Sequence, residues 1–393
     1  MKILVLGSGL MGPAAAFNAM CDPDVTAVTL ADRDAAQLDL ARARLDGKPG
    51  MDKLTTTQLD LADLDAATAL MAQHDVIVAA LPNVAIPAGI RAAAAAGVPW
   101  VDLSWPTDDQ MDAVLDAVNA AGILVVPGCG VEPGLTEIAA RNLADKLDEV
   151  DEVHIKCGGI PVEPSGPLDY KIVFGGRKLP IRATDARIAA DGALQPVPRY
   201  SDVELLEVDS VGRVEAWHEG FMPWLLDLDK FKGLKLGTQK TVRWPGYAAK
   251  VTALKELGLL STQPVDVDGV AVAPKQVVDA VLYPHVKMGD DDRDVTIMRV
   301  DVSGRKDGLP RTYRVEMVDW YDEELDITSM ARVTAFTGAI VARMIGRGEL
   351  DATGWVTPEK VITGKRYKRL LRDLRDAGVR LTMTTCKTKV LGA

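Results

Sequence analysis

The sequence predicts an α/β protein with a doubly wound parallel sheet, followed by a second α+β domain on a largely antiparallel mixed sheet. Three observations carry this prediction. Short apolar runs alternate with helical runs over the first 127 residues. A glycine triplet, Gly7-Ser8-Gly9-Leu10-Met11-Gly12, falls between the first apolar run and the first helix. After residue 150 the runs alternate apolar with polar residues instead, as in Thr312-Tyr313-Arg314-Val315-Glu316-Met317. Strands separated by helices of about 10–15 residues imply parallel βαβ units, whereas period-two alternation marks antiparallel strands with one wet face.

The elements follow in order. Lys2–Leu6 is a strand, and a helix runs from Met11 to Met20. Val25–Leu30 forms the second strand and Asp34–Leu45 a helix; Thr56–Leu61 and Leu64–Gln73 repeat the pair. Asp75–Leu81 is apolar almost throughout, the mark of a strand covered on both faces. The helix Ile86–Ala96 stops at Gly97, Trp100–Leu103 is a strand, Asp108–Ala121 a helix and Ile123–Val126 a strand. This gives about six parallel strands. Pro127–Leu135 holds three glycines and two prolines and cannot continue a strand or a helix, so it reads as the crossing into the second domain. A helix then covers 136–147. Strands are expected at Val153–Cys157, Val203–Val208, Lys240–Trp244, Val295–Ser303 and Thr312–Trp320, with a hairpin turn at Lys306-Asp307-Gly308. Ser329–Ile345 is apolar on nearly all sides, so it should be a buried helix that returns to the first domain. The expected division is 1–127, 128–325 and a helical segment 326–393.

The triplet reads G-x-G-x-x-G after a strand and before a helix, with Asp32 twenty residues on at the end of the second strand. This is the Rossmann dinucleotide fingerprint. Gly7 permits the tight turn, Gly9 lets the backbone approach a pyrophosphate, and Gly12 lets the helix pack on the strand. Ser8, Leu10 and Met11 complete the loop. Asp32 accepts from the ribose hydroxyls and repels a 2′-phosphate, which favours NAD; Arg33 beside it keeps NADP open as the lesser option. Strand ends place further cofactor contacts at Asp60 and Leu61, at Ala80, Leu81 and Pro82, and at Asp102. Asp102 reads equally as a turn carboxylate.

The chain has 393 residues with 45 Lys+Arg, 56 Asp+Glu and a net charge of -11. This acidity argues against nucleic acid or an anionic membrane as partner. Four scattered cysteines and four scattered histidines form neither a disulfide framework nor a metal spacing, so no metal is expected. The first apolar run, Ile3–Leu6, is too short for a signal peptide, and a cytoplasmic protein is expected. Of the 7 Trp, 7 Tyr and 5 Phe, the first 150 residues hold only Phe17, Trp100 and Trp105. The aromatic-rich second region is therefore the expected place for a substrate pocket, and a homodimer is expected through its sheet.

An ordered set of segments over residues 1 to about 362 resembles the saccharopine dehydrogenase (reductase-type) superfamily, nearest its lysine 6-dehydrogenase branch. The segments are the glycine fingerprint, 29–32 (TLAD), 130–134 (GVEPG), 158–162 (GGIPV) and 168–170 (LDY) with Val173-Phe174. They continue with 215–218 (EAWH), 241–243 (TVR) with Gly246, 304–308 (GRKDG), Met330-Ala331-Arg332 with Thr334-Ala335, and 345–348 (IGRG). The resemblance implies an NAD-dependent enzyme that takes a hydride from the ε-carbon of L-lysine, the imine hydrolysing to allysine, which cyclises. The alternative is a saccharopine- or carboxyspermidine-type relative that makes or breaks a secondary amine, which Lys171 in place of an uncharged residue favours. Two positions depart from the pattern: Tyr247 follows Gly246 where His is common, and Lys171 stands where lysine 6-dehydrogenases tend to carry Asn.

Amine oxidation needs a base, because a protonated amine has no lone pair to drive hydride loss. His218 is the first candidate by intrinsic pKa, with Lys171 as a desolvated base and Tyr170 as a hydrogen-bonding wall. His218 also reads as a packed core histidine. An amino-acid substrate needs its carboxylate held, for which Arg243 offers a planar fork assisted by Lys240. Glu132 or Asp169 would take an α-ammonium group, or cap a turn. A third reading, an NAD-binding protein without turnover, shares the same fingerprint.

Overall fold

The computed structural model describes residues 1–389. By contacts, the chain divides into two units: Met1–Asn142 with Asp322–Leu381, and Leu143–Tyr321 with the chain from Thr382 on. The first boundary thus falls about a helix later than the proline–glycine loop suggests. The loop and the helix after it stay with the first unit, where the Asn142 amide N–H donates to the carbonyl of Ile362 at 2.8 Å.

Among the described residues, the first unit is built on seven parallel strands: β1 (Lys2–Leu6), β2 (Ala27–Asp32), β3 (Leu54–Gln58), β4 (Val76–Ala79), β5 (Trp100–Asp102), β6 (Leu124–Val126) and, from far along the chain, Gly354–Trp355. Their order is Gly354–Trp355, β6, β5, β4, β1, β2, β3, so the winding reverses between β1 and β4. Ligands of open α/β sheets bind outside such a reversal. Helices α1 (Met11–Met20), α2 (Ala35–Leu45), α3 (Leu64–Met71), α4 (Ile86–Ala96) and α5 (Asp108–Ala121) alternate with the strands, and α6 (Leu135–Ala144) follows the loop. The third strand begins two residues earlier than its pattern predicts, because a 3₁₀ turn at Met51–Lys53 delivers the chain early and Gln58 pairs with Asp32. Asp60 and Leu61 therefore lie in the loop beyond the strand.

The long apolar helix, Ser329–Gly346, does return to the first unit. Phe336 packs on Phe17 of α1 with ring centroids 6.3 Å apart. Buried Arg343 donates to the Asn18 carbonyl and side-chain oxygens at 2.6 and 2.7 Å. The seventh strand is what the six-strand reading missed: two residues are too short for a periodic signal.

The second unit carries β7 (Glu149–Pro161), β8 (Ala186–Ala190), β9 (Ala193–Val197), β10 (Glu204–Val208), β11 (Gly212–His218) and β12 (Leu236–Arg243). After α7 (Tyr247–Glu256) come a small hairpin, β13 (Val265–Val267) with β14 (Val270–Val272), then α8 (Pro274–Val286), β15 (Asp294–Lys306) and β16 (Leu309–Trp320). One last strand, Thr382–Lys387, pairs with β16. The main sheet runs β10, β11, β12, β7, β15, β16 and the last strand, with β8 on β12 and β9 on β8. It is antiparallel except for β12 beside β7, which bears out a mixed, largely antiparallel sheet. Strand β7 is far longer than Val153–Cys157. Its glycines do not break it, because a Cβ at Gly158 would lie 2.3 Å from the Val242 carbonyl oxygen; the glycine marks close backbone approach, not a turn.

The main sheet has two differently furnished faces. Tyr170, Trp217 and Tyr247 join Val251 of α7 and Val278 of α8 in one buried cluster. Ile160, Val214, Ala216, Val242, Val295 and Ile297 form the other.

Candidate active site

The glycine loop fits a dinucleotide on geometric grounds. A Cβ at Gly12 would lie 1.7 Å from the Gly7 carbonyl oxygen, and one at Gly7, whose φ is +95°, would lie 2.3 Å from the Ala80 carbonyl oxygen. Both positions demand glycine for packing. Gly9 differs: nothing lies within 4 Å of where its Cβ would be. Open space over Gly9 is what an approaching pyrophosphate requires. The first helix begins at Met11 with no side-chain cap, so its first N–H groups and the positive end of its dipole remain for an anion. Leu10 and Met11 are half-buried at this mouth, and Ala80 and Leu81 are half-buried and Pro82 exposed at the end of β4.

Asp32 is held in place before any ligand arrives. Its Oδ2 accepts from the Ser8 N–H at 2.6 Å and the Ser8 hydroxyl at 2.9 Å, and its Oδ1 accepts from the Asp34 N–H at 3.0 Å. Beyond it lies a recess of about 670 Å³ lined by Arg33, Asp34, Ala35, Ala36, Gln58 and Asp60. Gln58 Nε2 donates to the Arg33 carbonyl at 2.9 Å, which fixes the backbone, while the exposed Arg33 side chain forms no ion pair among the described residues. Asp60 Oδ1 accepts from Ala62 N–H at 2.9 Å, and its exposed carboxylate lines the recess.

Asp102 departs from its expected role as a cofactor contact. It is buried and turned inward: Oδ2 accepts from Trp100 Nε1 at 3.0 Å, and Oδ1 from the Ser104 N–H and hydroxyl, both at 2.9 Å. Burial raises its pKa to about 6 against those three donors. The structure thus gives it the alternative turn role. Cys129 is also buried, and burial pushes its thiol pKa far up, which suits packing rather than nucleophilic chemistry.

The predicted substrate residues do not form one cluster. Glu132 belongs to the first unit; the others lie in the second and separate into four sets of contacts. Side chains alternate along a strand, so Lys240 and Arg243 on β12 point to opposite faces. His218 pairs in register with Lys240, and the two share a polar group. Lys240 Nζ lies 2.8 Å from Asp202 and 3.1 Å from Glu204, Lys156 lies 3.3 Å from Glu204, and His218 Nε2 lies 3.4 Å from Asp202. Burial, then Lys240, pushes the His218 pKa below its usual value against the pull of Asp202 and Glu204. Lys171 lies apart, 3.2 Å from Asp292, and Asp169 lies 2.5 Å from Lys250. A catalytic trio of His218, Lys171 and Tyr170 is therefore not assembled: His218 on β11 pairs with Asp202, Tyr170 packs under Arg243 and Lys171 pairs with Asp292.

Tyr170 and Arg243 do meet. The guanidinium stands over the Tyr170 ring at 4.5 Å and 5.7 Å from the Tyr247 ring centroid. Tyr247 stacks on Trp217 at 5.9 Å and 1°. Arg243 Nη1 donates to the Val242 carbonyl at 2.7 Å and the Gly159 carbonyl at 3.4 Å, while Nε and the Tyr170 hydroxyl find no partner. Among the described residues no carboxylate is paired with this cation. Burial works against its charge, yet Tyr170, Tyr247 and Glu219 hold its pKa above the usual value. Tyr247, the departure from the resembled pattern, is thus a wall of the Arg243 site, and sequence spacing gave no sign of it. Glu215, by contrast, caps α7 by accepting from the N–H groups of Gly246 and Ala248 at 2.7 and 2.6 Å.

Known proteins match both parts of this layout. The profile of the saccharopine dehydrogenase NADP binding domain matches residues 3–126, and that of the saccharopine dehydrogenase C-terminal domain matches residues 130–379. The chain belongs to the saccharopine dehydrogenase family. As a member of the saccharopine dehydrogenase family it is an oxidoreductase with a nicotinamide dinucleotide cofactor, which the open Gly9 loop and the uncapped first helix would hold. Its relatives include carboxynorspermidine synthase of Vibrio cholerae serotype O1, 24% identical over 92% of each chain. Carboxyaminopropylagmatine dehydrogenase of Synechocystis is 23% identical over 80% of each. In fold it resembles the apo, L-Glu-forming saccharopine dehydrogenase of Saccharomyces cerevisiae, with a TM-score of 0.80 at 18% identity over 98% of this chain and 99% of that one. Among the described residues, no group of three His, Cys, Asp or Glu is placed to hold a metal ion, and no helix is long and apolar enough to cross a membrane.

Proposed function

We propose that this chain is an NAD-dependent dehydrogenase that makes or breaks the carbon–nitrogen bond of a secondary amine bearing a carboxylate. In the synthetic direction an amine and an aldehyde condense to an imine with loss of water. Held at the Gly9 loop and Asp32, the reduced nicotinamide cofactor would supply the hydride for the imine carbon, and a proton would go to nitrogen. The reverse reaction reduces NAD and ends in hydrolysis of the imine. The observation that carries this reading is Arg243, a buried guanidinium walled by Tyr170 and Tyr247 with no carboxylate partner of its own. A buried cation without a counter-charge is costly, and a planar fork answers a substrate carboxylate with two parallel bonds. The near full-length likeness to carboxynorspermidine synthase supports the same class of substrate. Asp32, fixed by Ser8, supports NAD over NADP.

A second reading is oxidation of the ε-amine of L-lysine, favoured by the ordered segments shared with lysine 6-dehydrogenases. Both readings place a carboxylate on Arg243 and differ at the nitrogen. Reduction of NAD and of NADP should be followed with carboxynorspermidine, carboxyspermidine, saccharopine, L-ornithine and L-lysine. Turnover with a secondary amine and none with L-lysine is expected; the opposite result establishes the second reading. Tight NAD binding with no turnover on any of them would leave a non-catalytic NAD-binding protein and sink both. Arg243→Lys keeps the charge but loses the fork. It should raise the KM of the carboxylate substrate by ~100-fold, as expected for losing a charge-assisted bidentate contact, and leave the Kd for NAD unchanged. An unmoved KM would make Arg243 a packing residue.

A further inference from the structure

We infer that the cavity at the C-terminal end of α1 is a second ligand site, which holds a free apolar α-amino acid as a zwitterion. The inference stands independently of the reaction proposed above.

The cavity measures about 620 Å³, within the range that encloses a small molecule. It lies wholly in the first unit, where the end of α1 and the loop to β2 meet the long helix Ser329–Gly346 and the helix Gly364–Asp376. The ten residues of α1 span about 15 Å. The cavity therefore sits at the opposite end of that helix from the Gly9 loop, at the amino ends of the strands and away from the dinucleotide. Phe17, Phe336 and Leu325 give it an apolar part. Three guanidiniums, of Arg343, Arg347 and Arg369, and four carboxylates, of Asp22, Asp24, Asp373 and Asp376, line the rest. With both signs present in near-equal number, neither a phosphate nor a bare cation suits it.

The groups left unused decide the ligand. Asp22 is fully engaged: both of its oxygens accept from Arg347 Nη2 at 2.6 Å, and Oδ2 lies 3.0 Å from Arg343 Nε. Asp24 accepts from Arg347 Nε at 2.8 Å, and Asp376 from Arg375 Nη2 at 2.8 Å. The donors exceed these acceptors. Among the described residues, Arg343 gives Nη1 to Asn18 and Arg369 gives Nη1 to Glu349, while Nη2 of each donates to nothing. Arg347 Nη1 and Arg369 Nε are buried with no hydrogen bond. Burial pulls the Arg343 pKa below its usual value although Asp22 and Asp373 oppose it, so this wall is short of negative charge. Asp373 is the unused acceptor. Its side chain is 18% exposed, and the cations nearest to it, Arg369 Nε and Arg372 Nε, both stand 3.6 Å away, too far for a hydrogen bond. Unused guanidinium donors beside an unused carboxylate suit a molecule that carries a carboxylate and an ammonium on one carbon. Its carboxylate goes to Arg343 and Arg369, its ammonium to Asp373, and its apolar side chain to Phe17, Phe336 and Leu325.

Calorimetric titration of the full chain with L-leucine tests the site, because L-leucine has no second amine for either reading of the reaction to consume. A Kd of ~1 mM or below is expected, within reach of a ligand of about nine heavy atoms. 3-Methylbutylamine and 4-methylpentanoate keep the stem and one charge each, and each should bind at least ~10-fold more weakly. Asp373→Asn, checked for folding by circular dichroism, should weaken L-leucine by ~10-fold or more, whereas Arg243→Lys should leave it unchanged. Cys21 gives a second readout without substitution, since its exposed thiol lines the cavity. L-leucine at about ten times its Kd should slow alkylation of Cys21 by about tenfold and leave that of Cys386, exposed in the second unit, as it was. Absence of L-leucine binding overturns the inference, as do equal binding of the singly charged analogues and a folded Asp373→Asn variant that binds as tightly as wild type. Loss of binding in Arg243→Lys would move L-leucine to the Arg243 site and overturn it too. If Asp373→Asn fails to fold, alkylation of Cys21 that L-leucine does not slow overturns it instead.

Discussion

At the scale of single residues, the cofactor site is organised around a contact that the fingerprint does not encode. The middle residue of the first G-x-G can be almost anything, yet Ser8 adds a hydroxyl bond to the backbone bond that Asp32 already accepts. A carboxylate so fixed is pre-oriented for ribose hydroxyls and has less freedom to swing away from a 2′-phosphate. Ser8→Ala should therefore lower kcat/KM for NAD by about fivefold, the worth of one net hydrogen bond, and reduce the NAD-to-NADP preference by a similar factor. Asp32→Ala, with Arg33 left to face a phosphate, should shift the preference toward NADP by more than tenfold. Steady-state kinetics with both cofactors give the ratios. An unchanged ratio in Ser8→Ala would mean that the backbone bond alone fixes the carboxylate. Gly7, Gly9, Gly12 and Asp32 were legible in the sequence because each answers a local backbone or strand-end requirement. The Arg243 site was only half legible. Arg243 and Tyr170 are 73 positions apart and meet only where the stretch after β7 packs on β12, and Tyr247 looked like a departure from a pattern before the structure made it a wall.

At the scale of elements, the parallel strands and their helices were readable because burial on both faces leaves long apolar runs, and the antiparallel strands were less so. The sequence signal for β7 stopped at Cys157, where Gly158 and Gly159 look like breakers, whereas the strand continues to Pro161 and Gly158 allows β12 to approach. A similar close fit holds the first unit together. A Cβ on Gly89 of α4 would lie 2.4 Å from Cη2 of the fully buried Trp100 on β5. A rigid indole in a filled core cannot turn aside as a flexible side chain can, so Gly89→Ala should destabilise by about 1–3 kcal/mol despite the better helix propensity of alanine. Chemical denaturation followed by tryptophan fluorescence measures it. A neutral or stabilising result would show that α4 can shift on the sheet. Gly97, at the C-terminal end of the same helix, has φ of +70° with nothing within 4 Å of its Cβ position; there an alanine suffers from backbone conformation alone, and the two variants separate packing from φ.

At the scale of the whole molecule, stability depends on how many acids the fold buries in protonated form. Asp102 is raised to about 6 by burial, and Glu359 to about 7 by burial and the nearby Glu137, with the Thr357 hydroxyl pulling the other way. Glu359 Oε2 is buried without a hydrogen bond. A carboxyl raised above its unfolded value is protonated in the fold while the unfolded chain has already released its proton. Its contribution to stability is complete below the unfolded pKa near 4 and is lost as pH rises through 6 to 7. At 1.36 kcal/mol per unit each acid contributes about 3 kcal/mol across that window. His74 and His218 act in the opposite sense: burial lowers both, so they favour the fold above about 6.5, the ordinary His value, and oppose it as pH falls. The wild-type pH profile therefore mixes terms of both signs, and one substitution isolates the acid. Glu359→Gln keeps a neutral side chain of the same shape at every pH. It should be more stable than wild type at pH 8, by up to about 3 kcal/mol or ~5–10 °C in Tm for a unit of this size, and the gap should close by pH 5. Calorimetry at both pH values measures the difference. A gap that stays constant with pH would show that Glu359 is ionised in the fold at neutral pH, and that its buried charge has found a counter-ion.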